Sequence, residues 1–279
     1  RNCQGHKEVI AMRVSMRYFP GLLLFFLSVL TCSTVPVTER RQLNLVSDAS
    51  MLSMSFRQYE EFLDNQKLSQ DDDKVQLVRR VGRRIKQSVE KYFAGQDLSG
   101  ELEGYQWEFN LVEDDQVNAF AMPGGKVVVY TGLLPVAENE TGLAVVMGHE
   151  IAHAVAKHGN ERMSQGLLTQ MAGMTLDAAL QNQPDTTRQL AMQAFGAGAT
   201  IGFLLPYSRL HESEADRLGL IFMAMADYDP REAVDFWKRM AEKKGGNAPP
   251  EFLSTHPADD ARIENIKQLM PDALKYYKN

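Results

Sequence analysis

Val75, Val78, Val81, Ile85 and Val89 recur at intervals of three and four, and this spacing predicts a helix from Val75 to about Phe93. Asp71, Asp72 and Asp73 immediately before it are residues that start helices. A looser rhythm of the same period runs from Arg40 to about Lys67 and predicts an earlier helix. Trp107 to Val112 alternates in strand fashion. Asn118–Met122 and the β-branched run Lys126–Tyr130 flank Pro123-Gly124-Gly125, which predicts a hairpin. Beyond Gly132 the pattern is helical almost to the end. Residues 163–206 are rich in Met, Gly and Ala and are split by Asn182 to Arg188. They read as a tightly packed helical hairpin, with membrane contact as the alternative. The chain is therefore expected to be α+β and mostly helical. No internal repeat interrupts it.

The earliest apolar run has another meaning. Arg13 and Arg17 precede an almost unbroken apolar stretch, Gly21–Leu30, that is too short to span a bilayer comfortably and suits a secretory leader. It ends in Val29-Leu30-Thr31-Cys32, which resembles a bacterial lipoprotein cleavage box, although Thr31 departs from the small residue usual before the cysteine. Cys32 would then carry a lipid. An ordinary signal peptide and an uncleaved anchor are the competing readings. The expected organisation is residues 1–31 as upstream extension and leader, 32–41 as a lipid-anchored linker, and 42–279 as one domain.

The 279 residues carry a net charge of −6, and the two cysteines, Cys3 and Cys32, both sit near the start. A disulfide framework for the body is excluded, and the charge argues against a nucleic-acid binder. The leader takes away four bases (Arg1, Lys7, Arg13, Arg17) and one acid (Glu8). The acidic body left behind has no electrostatic pull of its own toward anionic lipid.

His149-Glu150-Ile151-Ala152-His153 lies in a helical context, Leu143 to Ala156. Positions four apart on a helix differ by about 40°, so His149 and His153 project from one face and can share a metal ion. Glu150 beside them can reach a metal-bound water as general base. His158, nine residues on and about 180° round a continuous helix, is a poor ligand. A third ligand must come from elsewhere, and Leu210-His211-Glu212-Ser213-Glu214-Ala215-Asp216 offers it. Glu212 and Asp216 share a face, suited to one ligating carboxylate and one that receives a ligand histidine's N–H. Glu214 points about 200° away, toward solvent or a basic partner.

HEIAHAVAKH, ESEAD some sixty residues later, NAFAMPGGKVVVYTGLL upstream and STHPADDARI downstream together resemble the zinc metallopeptidase family of the CaaX prenyl proteases, HtpX and the mitochondrial Oma-type proteases. The likeness is greatest to its soluble bacterial envelope members and extends from about Gln42 to about Leu269. It implies a zincin (gluzincin) domain with one Zn2+ per chain held by His149, His153 and Glu212. Glu150 would be catalytic, and Asp216 would orient a ligand histidine. A small antiparallel sheet with an edge strand beside the HExxH helix is expected.

His256 alone reads as part of a His-Pro turn; the resemblance gives it a place near zinc, polarising the substrate carbonyl or filling the fourth metal position and holding the enzyme latent. Arg209 and Arg262 also match recurrent family positions, as structural or carbonyl-facing groups. Lys126, Val127, Val128, Val129 and Tyr130 are the expected edge strand for an extended substrate, with ordinary core β as the alternative. The resulting expectation is an envelope endopeptidase, an outer-membrane lipoprotein facing the periplasm, that cleaves unfolded or misassembled polypeptides. The alternatives are a latent zinc-bound assembly factor and a helical scaffold.

Overall fold

In the computed structural model, residues 32–35, 38–243 and 250–278 are described. The expected leader, 1–31, lies outside them. Helix α1 (Asp48–Asp64) starts on Ser47, whose hydroxyl accepts the Ser50 N–H. Helix α2 (Asp72–Gly95) starts on Asp71, which accepts the Lys74 N–H. Such caps satisfy amides that the first helical turn leaves unpaired. Val78, Val81, Ile85 and Val89 are fully buried along one face of α2, as their spacing predicts. Each such side chain contributes about 1.5–3 kcal/mol.

The helical rhythm from Arg40 is interrupted at its start. Strand β1 (Cys32–Thr34) pairs antiparallel with β2 (Arg41–Leu43), placing Ser33 opposite Gln42. The stretch expected to tether the domain thus contributes a strand, and its Thr38 and Arg40 contact Glu214.

The main sheet contains β3 (Glu108–Val112), β4 (Ala119–Met122) and β5 (Lys126–Tyr130) in the order β3-β5-β4. The hairpin exists as predicted, with Gly124 and Gly125 at φ +87° and +86°, where only glycine is unstrained. The sheet itself is mixed: β3 runs parallel to β5 and β4 antiparallel to it. Lys126–Tyr130 is therefore the central strand, bonded on both sides and buried throughout, and not the expected edge. The two edges are β3 and β4, and β4 is half-buried from Phe120 to Met122.

Eight helices follow among the described residues. These are α3 (Leu134–Ala137), α4 (Glu140–Val155), α5 (His158–Ala179), α6 (Asp185–Ala199), α7 (Leu205–Met225), α8 (Glu232–Lys243), α9 (Phe252–Thr255) and α10 (Asp260–Ala273). A π-helical turn, Thr200–Leu204, joins α6 to α7. Helix α4 is buried on every side from Gly142 to Val155, enclosed by α2, β4, α7 and α8. It meets α7 backbone to backbone: a Cβ on Gly219 would lie 2.9 Å from the His149 nitrogen, and one on Gly148 3.0 Å from the Gly219 oxygen.

Helices α5 and α6 form the expected hairpin, but it is not tightly packed on the domain. Helix α6 buries no residue, and Met171 (58%), Met174 (59%), Leu190 (67%) and Ile201 (69%) are exposed. The continuous helix Asp185–Met225 is long and apolar enough to cross a membrane, and the apolar window within it is wholly unburied.

Candidate metal centre

Two helices and one loop bring four side chains together. Helix α4 supplies His149 and His153, whose Nε2 atoms lie 3.1 Å apart. Helix α7 supplies Glu212, with Oε2 3.4 Å from His149 Nε2 and Oε1 3.3 Å from His153 Nε2. His256 follows α9 and places Nδ1 3.1 Å from His149 Nε2 and 2.9 Å from Glu212 Oε2. One donor atom from each residue falls within 4.8 Å of all the others. Donors arranged tetrahedrally around a divalent transition-metal ion at about 2.0–2.1 Å stand about 3.3 Å apart. The His149–His153–Glu212 separations match that value, so the donor set fits an ion, with His256 at the same cluster.

Charge is balanced by deep carboxylates. His149 turns Nδ1 to Asp216 Oδ1 at 3.0 Å, which leaves Nε2 as the free donor. Burial and the Arg262 charge oppose protonation of His149, but hydrogen bonds to Asp216 and Glu212 outweigh them and raise its pKa to about 9. Burial holds His153 well below the ordinary histidine value. Burial would raise Glu212, yet hydrogen bonds from His149, His153 and His256 bring it far below the usual carboxylate range. Burial likewise opposes ionisation of Asp216, and the Arg262 charge and the His149 hydrogen bond lower it on balance.

Arg262, on α10, takes the structural option. Its Nε and Nη2 donate to the two Asp216 oxygens at 2.9 and 2.6 Å, its Nη1 is 3.2 Å from Glu212 Oε2, and its guanidinium covers the Trp237 ring. One arginine thus fixes both carboxylates of α7 that face the histidines. Arg209 is exposed on α7. Glu150 is buried beside the cluster; its Oε1 has no hydrogen-bond partner among the described residues and stands 3.5 Å from His256 Nε2. A buried carboxylate oxygen left without a donor is uncommon and suits a base awaiting a proton.

His158 does not join the cluster. The reason differs from the helical-wheel expectation, because the helix breaks at Ala156–Lys157. Lys157 adopts a left-handed conformation (φ 58°) and is tied to Asp48 and Glu101, and His158 begins α5. Its ring is fully buried, with Nδ1 2.8 Å from His153 Nδ1. Burial lowers its pKa to about 4, so it is neutral. Glu214 is buried and takes a basic partner, Arg40, rather than facing solvent. No periodicity in the sequence links Arg40 to Glu161, Glu214 or His211, so their association could not be read there.

Residues 80–270, which include His149, Glu150, His153 and Glu212, match the model of peptidase family M48. The chain belongs to peptidase family M48. It is 37% identical over 185 residues to the mitochondrial metalloendopeptidase OMA1 of Saccharomyces cerevisiae, covering 63% of this chain and 51% of that protein. It is 31% identical over 286 residues to the Homo sapiens metalloendopeptidase OMA1, covering 96% and 53%. With the beta-barrel assembly-enhancing protease of Yersinia pestis it shares 32% identity over 167 residues, covering 58% and 34%. The chain spans about half the length of the OMA1 relatives it matches. The mostly helical architecture with a small mixed sheet is that of an M48 peptidase domain, and polypeptides are the substrate class of the family.

Proposed function

We propose that this chain is a zinc-dependent endopeptidase of the bacterial cell envelope that hydrolyses peptide bonds in unfolded or misassembled polypeptides. The observation that carries this reading is the convergence of His149, His153 and Glu212 at tetrahedral separations beside the unpartnered oxygen of Glu150. Two imidazoles and a carboxylate suit zinc. When bound, that ion would lower the pKa of a coordinated water to about 7 and polarise the scissile carbonyl.

The remaining work falls to side chains. Glu150 Oε1 takes a proton from the attacking water and returns it to the leaving amine. Asp216, held by Arg262, keeps the His149 proton on Nδ1 and so keeps Nε2 available. His256, whose Nε2 lies 3.5 Å from Glu150 Oε1, would donate to the oxyanion.

The substrate backbone adds to the sheet at β4. The Tyr130 N–H donates to the Asn118 carbonyl, which turns Asn118, Phe120 and Met122 toward β5 and leaves Ala119 and Ala121 directed outward. Extended peptides pair with such an edge through main-chain bonds, with weak sequence preference. Lys126, Val127, Val128, Val129 and Tyr130 support that edge from behind. Past Met122, a cleft of about 400 Å³ lined by Leu52, Glu101, Tyr105, Pro123 and Lys157 gives the chain somewhere to continue. A lipid on Cys32 would hold the domain at the membrane, and the uncovered apolar faces of α5 and α6 are consistent with that placement.

The test is zinc stoichiometry of the purified protein together with casein cleavage. One zinc per chain and hydrolysis at least ~100-fold slower in Glu150→Gln are expected; a metal-free wild type, or an active Glu150→Gln, overturns the reading. A second reading has its own support in His256 Nδ1, which sits within ligand distance of the cluster. As a fourth ligand, His256 would hold the protein latent, as a chaperone or assembly factor. In that case His256→Ala raises casein cleavage, whereas a donor to the oxyanion predicts that the same substitution lowers it.

A further inference from the structure

The two histidines of α4 are backed by different partners. His149 Nδ1 meets a carboxylate, Asp216. His153 Nδ1 meets another imidazole nitrogen, His158 Nδ1, at 2.8 Å, with His158 fully buried. Two ring nitrogens at that distance need one proton between them, so one donates and the other accepts. A His153 that offers its Nε2 lone pair to the cluster carries its proton on Nδ1. His158 Nδ1 must then be bare, and its own proton sits on Nε2, directed at Glu214 Oε2 at 3.3 Å.

Glu214 is held in turn from the N-terminal segment. It accepts from Thr38 Oγ1 at 2.6 Å and from Arg40 Nε at 2.9 Å. The same guanidinium donates through Nη1 and Nη2 to Glu161 at 2.9 and 2.7 Å. Glu161 also accepts from His211 Nε2 at 2.9 Å. The His211 ring closes the circuit by stacking on His158, with centroids 4.3 Å apart and planes at 17°. Gln42, on β2, fastens the segment to the end of α4 by donating to the Ala156 carbonyl at 2.9 Å.

We infer that His158, Glu214 and Arg40 form a positioning relay that fixes the tautomer and orientation of His153, making the segment around Thr38 and Arg40 part of the metal centre. The inference rests on the zinc reading above. Outer partners of this kind alter metal affinity by about 10–100-fold when lost. None of the three touches substrate, so their effect is on the ligand and not on the reaction.

The experiment measures the zinc dissociation constant by competition with a chromophoric chelator, alongside thermal melting of the metal-free proteins. His158→Phe keeps a flat ring against His211 but removes the acceptor; its affinity should fall by about 10–100-fold. His158→Asn places an amide oxygen near the lost Nδ1 and should recover most of that affinity. Arg40→Ala, at the partly exposed end of the relay, should weaken binding in the same direction with the metal-free fold retained. A tight-binding His158→Phe, or equal losses in the Phe and Asn variants, would overturn the relay while leaving zinc binding intact. Failure of the wild type itself to bind zinc would overturn both readings. A second measurement needs no variant. In the cobalt-substituted wild type, two strongly shifted imidazole N–H protons, from His149 and His153, should resist solvent exchange; a single protected proton would refute the relay.

Discussion

Gly219→Ala separates the demands of the metal centre from those of helix stability. The new methyl would stand 2.9 Å from the His149 nitrogen, 3.0 Å from the Gly148 carbonyl carbon and 3.1 Å from the His149 Cα. All three are backbone atoms of α4, so no side chain can turn aside. Comfortable carbon contacts begin at about 3.5 Å, and the helices must therefore part by about 0.5 Å. Overpacking of this kind costs about 1–3 kcal/mol, whereas alanine in place of a helical glycine returns about 1 kcal/mol. The net loss, about 0–2 kcal/mol, lowers the melting temperature by no more than about 8 °C in a domain of this size.

The metal centre has less tolerance. His149 and His153 ride on one helix and Glu212 and Asp216 on the other, and ligand distances are kept within about 0.2 Å. A 0.5 Å separation, more than twice that tolerance, should therefore weaken zinc binding at least ~10-fold while the metal-free protein still folds. Chelator competition and melting with and without zinc measure the two effects separately. An alanine variant that binds zinc as tightly as wild type and melts higher would show that helix propensity governs the site, and the close-contact reasoning would be wrong.

Asp216→Asn removes the carboxylate from His149 Nδ1 and should weaken zinc binding by about 10–100-fold, read by the same competition; undiminished affinity would deny Asp216 its orienting role. Glu161 and Glu214 are both brought down to about 2 from 4.5, against the opposing effect of burial, by hydrogen bonds from His211 and His158 respectively and from Arg40. A carboxylate with a depressed folded pKa stabilises above its unfolded value and loses that contribution as pH falls through the folded one. The metal-free protein should accordingly lose stability between about pH 4.5 and pH 2, and Glu214→Gln should flatten that slope in urea titrations; an unchanged slope refutes the assignment. Met171→Ala, on the exposed hairpin, should change stability by about 0.5 kcal/mol or less, whereas Met147→Ala in the core should cost about 2–5 kcal/mol. Equal effects in denaturant melts would show that the hairpin is covered in solution.

The candidate ligands on α4 were legible because both lie on one helix, where a spacing of four guarantees a common face. The same rule paired Glu212 with Asp216 on α7. The valine rhythm of α2 and the Pro-Gly-Gly turn were legible for a similar reason, since each is set by neighbours a few residues away. Strand order was not. Lys126–Tyr130 looks alike as edge or centre, because its β-branched run satisfies either position, and only the parallel partner β3 made it central. A continuous helix through Lys157 would carry His158 to the far side of α4; the left-handed turn at Lys157, stabilised by Asp48 and Glu101 from distant parts of the chain, sets it beside His153 instead.

The sequence by itself determined the helical class, the candidate ligand pair with its neighbouring carboxylate, and the acidic side chains that face it. Tertiary structure alone decided that two glycines let α4 and α7 touch, that β5 is central with β4 at an edge, and that Arg40 reaches the residues behind His153. The division follows from range: periodicity encodes faces within one element, whereas contacts between elements depend on which surfaces exclude water together.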